Sequence, residues 1–318
     1  MRLPDLRKWL SLARRPRAPA EVAPVSDGGA HDEAQEDPHA RELRERLEAV
    51  AAATPNPAWT AQRLEVTDLL WGKGCLWPGG SDEVLRVAVP FGLSNSSSLL
   101  LVGAGNAGPA LRLASDLGVW VGGFEADPVL LEAAAARLQS AGAALAKRTS
   151  VQRWNPSAPA FRKQAFHHAL SIEALRGPRT EQAIAGIRGA VKPGGQVSII
   201  ETVAPQPLDA TDPVVAAWCR LEHRAPPPPG TDWVTGPLAQ SGFEIRVTED
   251  VTARHARSAV TGWKTLLRDM KTHKPPRRRA AAVVNEAELW LRRIDLLRTG
   301  KLRVIRWLAI HDGSAKTG

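Results

Sequence analysis

The chain has 318 residues, 43% of them hydrophobic, which is enough to bury the core of one large α/β domain or two small ones. Two cysteines, Cys75 and Cys219, exclude a disulfide framework, and no Cys/His spacing matches a zinc site. We therefore expect a cytoplasmic protein without a metal. The net charge of +9 lacks interleaved basic and aromatic residues, which disfavours a nucleic-acid partner and fits attraction of an acidic small molecule.

The N-terminal region shows no pattern of a folded domain. Residues 1–17 are basic and lack a secretory signal, and no run of about 18 apolar residues occurs in the chain. We expect a frayed tail, with weak contact to an anionic membrane surface through residues 1–17 as the alternative. Residues 1–39 are therefore predicted to be a tail and flexible linker, and residues 40–318 an ordered domain. Two predicted helices, 41–52 and 57–70, form a helical lead-in over residues 40–80.

A glycine-rich turn between a predicted strand and a predicted helix is the most informative motif. The apolar run Leu99–Val102 leads into Gly103-Ala104-Gly105-Asn106-Ala107-Gly108, and a helix is predicted over 109–117. A second strand over 119–124 ends at Glu125, about 20 residues after the first glycine. This order of elements indicates a nucleotide-binding unit.

Each residue type in this unit has a physical task. Gly103 permits a tight turn, Gly105 allows a ligand to approach the backbone, and Gly108 allows the helix to pack closely on the sheet. Glu125 is placed to accept hydrogen bonds from ribose hydroxyls. The alternative is a ligand-free helix-packing turn, because this chain is rich in alanine and glycine.

Strand and helix patterns alternate through the rest of the chain, which predicts a doubly wound α/β fold with a mostly parallel sheet. The last two strands, separated by a helical insertion over residues 253–300, indicate an antiparallel C-terminal edge and seven strands in all. The predicted helices are 129–141, 181–191, 256–271 and 280–298, and the predicted strands are 146–152, 165–172, 196–203, 243–251 and 302–310.

The chain resembles the class I S-adenosylmethionine-dependent methyltransferases over residues 71–311. The motifs that carry the resemblance are the glycine turn, Glu125, Ser171-Ile172-Glu173, and Lys192-Pro193-Gly194-Gly195 before the fifth strand. The segment Trp71–Gly80 is similar to the aromatic-glycine lead-in of small-molecule methyltransferases of the phosphoethanolamine and cyclopropane-synthase-like groups.

The resemblance implies S-adenosyl-L-methionine as cofactor and a small-molecule acceptor. It also implies cofactor contacts at a set of residues around the glycine turn and the second strand: Gly103, Ala104, Gly105, Gly108, Glu125 and Ala126. This chain departs from the family at three places. Leu101 replaces an acid, Cys75 stands where phosphoethanolamine enzymes have a tyrosine, and Arg153-Trp154-Asn155 replaces the third-strand acid.

Candidate catalytic residues follow from the need for a general base near the carboxyl ends of the strands. Glu173, Glu201 and His223 meet that requirement. Two of them have a structural alternative: Glu173 as a helix N-terminal acid, and Glu201 as a solvated strand terminus.

Several other functions remain open at this point. A catalytically inactive methyltransferase-like binding or regulatory protein is indicated by Leu101 and Cys75. A nicotinamide-dependent dehydrogenase shares the glycine spacing, and an RNA methyltransferase would use the positive charge. The oligomeric state and the acceptor do not follow from the sequence.

Overall fold

The computed structural model describes residues 58–175, 180–224, 227–273 and 275–313. The predicted tail and linker (1–39) and the predicted helix over 41–52 lie outside these residues. Within them, no helix is both long and apolar enough to cross a bilayer.

One seven-stranded sheet organises the chain. Its strand order is β3-β2-β1-β4-β5-β7-β6, with parallel pairing from β3 to β5 and antiparallel pairing of β7 with β5 and β6. The predicted doubly wound sheet with an antiparallel C-terminal edge is confirmed, and the last strand inserts beside β5, so that β6 forms the border. The strands are β1 Ser98–Val102, β2 Trp120–Glu125, β3 Thr149–Arg153, β4 Phe166–Ile172, β5 Val191–Val203, β6 Phe243–Asp250 and β7 Arg303–His311.

The helices connect these strands and cover both faces of the sheet. Among the described residues they are α1 Ala61–Trp71, α2 Gly80–Ala88, α3 Gly108–Leu117, α4 Pro128–Ser140, α5 Ala143–Arg148, α6 Thr180–Ala190, α7 Pro213–Leu221, α8 Asp232–Gln240, α9 Thr252–Thr272 and α10 Arg277–Arg298. A single-turn 3₁₀ helix, Val89–Phe91, follows α2.

Local structure differs from the sequence-based prediction in two respects. The strand predicted to start at Ala146 starts at Thr149, because residues 143–148 are strong helix formers and continue as α5. Helices α2, α7 and α8 are additional to the predicted ones. Each is only 9 residues long, and its buried residues pack in the core clusters on the faces of the sheet, which stabilises a helix that would be marginal alone.

The Lys192-Pro193-Gly194-Gly195 segment forms a bulge at the start of β5. The pairing of β4 with β5 passes from Phe166–Val191 to His168–Gln196, so the four residues have no partners on β4. A side chain at Gly195 would place its Cβ 2.2 Å from the carbonyl oxygen of His167. The bulge sets the register with which β5 enters the sheet centre.

The core has one cluster on each face of the sheet and a third beside it. Successive residues of β1 point to opposite faces, so Leu99 and Leu101 belong to one cluster and Leu100 and Val102 to the other. The third cluster joins α1 to α9 and α10 through residues such as Trp71. The lead-in helix therefore packs on the insertion helices.

Replacing Ile200 by alanine tests the packing of the central strand. Ile200 is fully buried on β5, so Ile200→Ala should lower the free energy of unfolding by about 2–5 kcal/mol in a urea titration. Val247→Ala on the border strand β6, where the side chain is 43% exposed, is the control and should cost no more than about 0.5 kcal/mol. Equal losses for the two variants would contradict the assigned strand order.

Candidate active site

The glycine turn leaves β1 at the carboxyl edge of the sheet and forms one wall of a cavity. Gly103 and Gly105 have φ of 76° and 57°, a conformation that strains residues with a Cβ atom. Ala107 adopts φ of 71° immediately before α3. A non-glycine residue in the left-handed region costs about 1–3 kcal/mol, and residues strained in this way cluster at active sites and ligand-binding sites.

Glu125 ends β2 beside this turn, and backbone N–H groups hold its carboxylate. The amide of Gly105 donates to Oε2 at 2.8 Å, and the amides of Ala126 and Asp127 donate to Oε1 at 2.8 and 3.0 Å. Burial raises the pKa of Glu125, and the three hydrogen bonds oppose that shift. A carboxylate has about four acceptor positions, so one remains after these three bonds.

These residues line a cavity of about 290 Å³. Its walls come from the glycine turn, the ends of β2 and β4, and the lead-in segment, and three tryptophans, Trp59, Trp77 and Trp154, contribute to them. Of the predicted cofactor contacts, the cavity is lined by Gly103, Ala104, Gly105, Glu125 and Ala126. The structure thus brings together five of the six predicted residues at one place.

The sixth, Gly108, makes a close backbone contact with Gly74. The amide of Gly108 donates to the Gly74 carbonyl oxygen at 3.2 Å, and a Cβ on Gly108 would lie 2.3 Å from the Gly74 carbonyl carbon. The expected contact of this glycine with the sheet is therefore replaced by contact with the lead-in segment. The amide of Gly74 also donates to Asp68 Oδ1 at 2.7 Å, which connects the turn to α1.

Of the three catalytic candidates, only Glu173 lines this cavity. It adopts φ of 48° after β4, and its carboxylate is bound by Arg293 of α10 and by the Thr202 hydroxyl. Arg293 also donates to Glu222 Oε1 at 3.2 Å, and its side chain is only 4% exposed. An ion-paired carboxylate is a poor proton acceptor, so the geometry favours a positioning role for Glu173.

Glu201 and His223 lie away from the cavity lining. Glu201 is fully buried on β5, and its Oε1 accepts the amide of Leu175 at 2.8 Å, which holds the chain after β4. His223 follows α7 with φ of 52° and lines a second cavity. Burial, together with the positive charge of Arg63, lowers the pKa of His223. The three candidates thus do not form one catalytic group.

The three departures from the family pattern have structural explanations. Leu101 is fully buried and packs in the core cluster that contains Trp77, so it fills apolar space rather than facing the cavity. Cys75 is fully buried in the third cluster, and burial raises the pKa of its thiol. Trp154 lines the cavity beyond β3 and stacks on Phe161 at 5.6 Å.

His255 of α9 is a buried residue next to the site that the sequence analysis did not identify. Its ring lies 5.8 Å from Trp77 and 5.7 Å from Trp290, and neither ring nitrogen has a hydrogen-bond partner among the described residues. Burial lowers the pKa of His255 to about 3, and the charge of Arg293 acts in the same direction while Glu173 opposes it. The ring is therefore neutral at physiological pH.

Among the residues that the structure describes, no group of three or more His, Cys, Asp or Glu side chains is placed to hold a metal ion.

Comparison with known proteins finds no matching family model and no matching curated sequence. Solved structures do match. The chain is similar to phosphoethanolamine N-methyltransferase 2 of Haemonchus contortus, in complex with S-adenosyl-L-methionine, with a TM-score of 0.69 at 18% identity. The match covers 84% of this chain and 59% of that enzyme, so the chain spans about three fifths of its length.

Two further structures extend the comparison. A geranyl diphosphate C-methyltransferase of Streptomyces coelicolor A3(2) matches with a TM-score of 0.56 at 13% identity, covering 73% of this chain and 77% of that one. The [4+2]-cyclase SpnF matches with a TM-score of 0.60 at 21% identity, covering 82% and 100%. The chain has the fold of the class I S-adenosylmethionine-dependent methyltransferases, as its sequence predicts.

The contact between the glycine turn and the lead-in segment can be tested at Gly74. In Gly74→Ala, the new Cβ would lie 2.6 Å from Gly108 Cα, whereas Gly92→Ala meets no atom within 4 Å. Gly74 and Gly92 have φ of 77° and 58°, so both variants carry the left-handed backbone cost of about 1–2 kcal/mol. Thermal unfolding should show a further loss of about 1–3 kcal/mol for Gly74→Ala alone. Equal stabilities would contradict the close contact.

His255 makes stability depend on pH. Between about pH 6 and pH 4 the unfolded chain binds a proton at His255 that the folded chain excludes, so stability falls as the pH falls. His255→Phe should remove this contribution. For each unit of falling pH, the free energy of unfolding of wild type should therefore decrease by about 1.4 kcal/mol more than that of the variant. Urea titrations at several pH values measure the difference. Parallel curves for the two proteins would show that His255 is protonated in the folded state.

Proposed function

We propose that this protein is an S-adenosylmethionine-dependent methyltransferase that transfers a methyl group to a small-molecule acceptor. The single observation that carries the proposal is the Glu125 carboxylate, held beside the glycine turn by three backbone N–H groups and lining the same cavity as Gly103 and Gly105. The fold supports the proposal, because ligands of open α/β sheets bind at this edge. The domain responsible is residues 40–318, in the cytoplasm.

The residues present fit such a cofactor. Glu125 would accept a hydrogen bond from a ribose hydroxyl with its remaining acceptor position, and Gly103 and Gly105, which line the same cavity, would lie against the ligand. Ala126 and Trp154 line the cavity near the ends of β2 and β3, where a flat aromatic base would pack. The Gly108 amide donates to the Gly74 carbonyl oxygen, and this hydrogen bond holds the glycine turn against the lead-in segment.

The bound cofactor supplies an electrophilic methyl group on a sulfonium, and the protein aligns the acceptor and excludes water. Leu76 and Trp77 of the lead-in cover the cavity, and Leu76 lies so close to the turn that a Cβ on Gly105 would be 2.8 Å from it. Glu173, held in place by Arg293, would orient the acceptor at the end of β4. In this arrangement catalysis relies on positioning and not on a strong general base.

Small-molecule acceptors are supported by the structures with this fold. One Haemonchus contortus structure holds phosphomonomethylethanolamine and S-adenosylhomocysteine, and the Streptomyces coelicolor structure holds Mg²⁺, geranyl diphosphate and S-adenosyl-L-homocysteine. An anionic acceptor fits the positive charge of this chain. SpnF is named as a [4+2]-cyclase, so this fold also occurs in a protein named for another reaction.

Calorimetric titration with S-adenosylhomocysteine tests the cofactor site. Glu125→Gln removes one acceptor oxygen from the site, and we expect the affinity to fall about 10- to 100-fold, the effect of losing hydrogen bonds to a charged group. Glu132→Gln makes the same chemical change at an exposed position of α4 and should bind as wild type does.

Four outcomes decide between the candidate functions. Absence of binding to wild type at millimolar S-adenosylhomocysteine would falsify the proposal, and binding of NADH instead would indicate a dehydrogenase. Transfer of labelled methyl from S-adenosylmethionine to a small-molecule fraction supports it. Tight cofactor binding without transfer to any acceptor supports the inactive binding or regulatory protein.

A further inference from the structure

A second cavity, of about 670 Å³, opens beside the first and is built from three separate parts of the chain. The lead-in contributes Thr60, Gln62 and Arg63, the segment after β5 contributes Arg220 and His223, and α10 contributes Arg278 and Asn285. Segments of this kind, outside the central sheet, usually determine which substrate a common fold accepts. Their convergence on one cavity identifies a place for recognition.

The ionisable side chains of this cavity are predominantly cationic, with three arginines and one carboxylate, Glu286. Both oxygens of that carboxylate are engaged, since Arg63 Nε donates to Oε2 at 2.9 Å and Trp290 Nε1 donates to Oε1 at 3.0 Å. Arg63 is thus neutralised within the protein. Positive charge remains on Arg220 and Arg278.

These two guanidinium groups are open to a ligand. In the described part of the chain, Arg220 has no carboxylate partner, and its side chain is exposed at the cavity. Arg278 makes only a long contact, 3.6 Å from its Nη2 to Glu65 Oε1, and its side chain is 68% exposed. Arg279 binds Oε2 of the same carboxylate at 2.6 Å, so one carboxylate faces two guanidinium groups. Guanidinium groups bind phosphate oxygens through paired N–H donors, and neighbouring amide side chains of Gln62 and Asn285 add neutral donors.

The two cavities share a thin wall. Ala58 and Thr60 line the second cavity, while Trp59 between them lines the first. On the other side, Glu222 precedes His223 of the second cavity and binds Arg293, which in turn binds Glu173 of the first. A ligand anchored in the second cavity is therefore held next to the reaction site.

We propose that the second cavity is the anion-binding part of the acceptor site, and that Arg220 and Arg278 bind a phosphate or diphosphate group of the acceptor there. This inference rests on the proposed function for its role, because the acceptor is the molecule methylated in the first cavity. It assigns the acceptor to the class of phosphorylated small molecules.

Inorganic pyrophosphate is the probe for this site. Calorimetric titration of the full chain at low ionic strength should show binding that falls about tenfold or more in the double variant Arg220→Ala, Arg278→Ala. Arg257→Ala, Arg268→Ala removes two exposed arginines from α9 and should bind pyrophosphate within about twofold of wild type. Circular dichroism and thermal unfolding verify that both double variants are folded.

The outcomes separate a built site from general charge attraction. Equal pyrophosphate affinity for wild type and the Arg220/Arg278 variant, or an equal loss in the α9 control, would overturn the assignment. Malonate, a dicarboxylate, tests the ligand class: pyrophosphate should bind about tenfold more tightly, and equal binding would overturn the phosphate assignment.

Failure of this inference can be distinguished from failure of the proposed function. If wild type binds S-adenosylhomocysteine but pyrophosphate affinity does not depend on Arg220 and Arg278, only the anion site is wrong. If pyrophosphate binding depends on these arginines but S-adenosylhomocysteine does not bind, the anion site stands and the cofactor assignment is wrong.

Discussion

The buried guanidinium of Arg293 is the group on which the side of the molecule proposed to bind the acceptor depends. It lies on α10 and binds Glu173 at the end of β4, Glu222 after α7, and the Thr202 hydroxyl on β5 at 2.7 Å. A buried charge is tolerated only when it is paired, so these groups must stay together in the folded state. The ion pair therefore fixes the insertion helices above the carboxyl edge of the sheet.

This constraint divides the site into two halves of different origin. The half proposed to bind the cofactor is local, because Gly103, Gly105 and Glu125 come from one strand-turn-helix-strand unit and hold each other through backbone hydrogen bonds. The half proposed to bind the acceptor is assembled over long range, since Arg63 of α1 binds Glu286 of α10, and Arg293 of α10 binds Glu173. Side chains of the second half can therefore change while the glycine turn and Glu125 stay intact.

The same division explains why the three catalytic candidates are not brought together. Glu173 and Glu201 lie near the carboxyl ends of β4 and β5, which is what sequence spacing can indicate, whereas His223 follows α7. The structure directs Glu201 toward the chain after β4 and leaves His223 beside a different cavity. Glu173 does line the first cavity, but Arg293, which is 120 residues away in sequence, neutralises it. No local sequence pattern around Glu173 indicates that Arg293 is its partner.

The sequence by itself determined the elements whose signals are local: the alternation of strands and helices, the glycine turn and Glu125. These follow from apolar periodicity and backbone conformation, which act over a few residues. Only the tertiary structure decided that Gly108 packs on Gly74, that Leu101 is a core residue, and that arginines from three segments line one cavity. Such contacts depend on how distant side chains meet after folding, because burial and pairing energies are properties of the packed chain and not of any short segment.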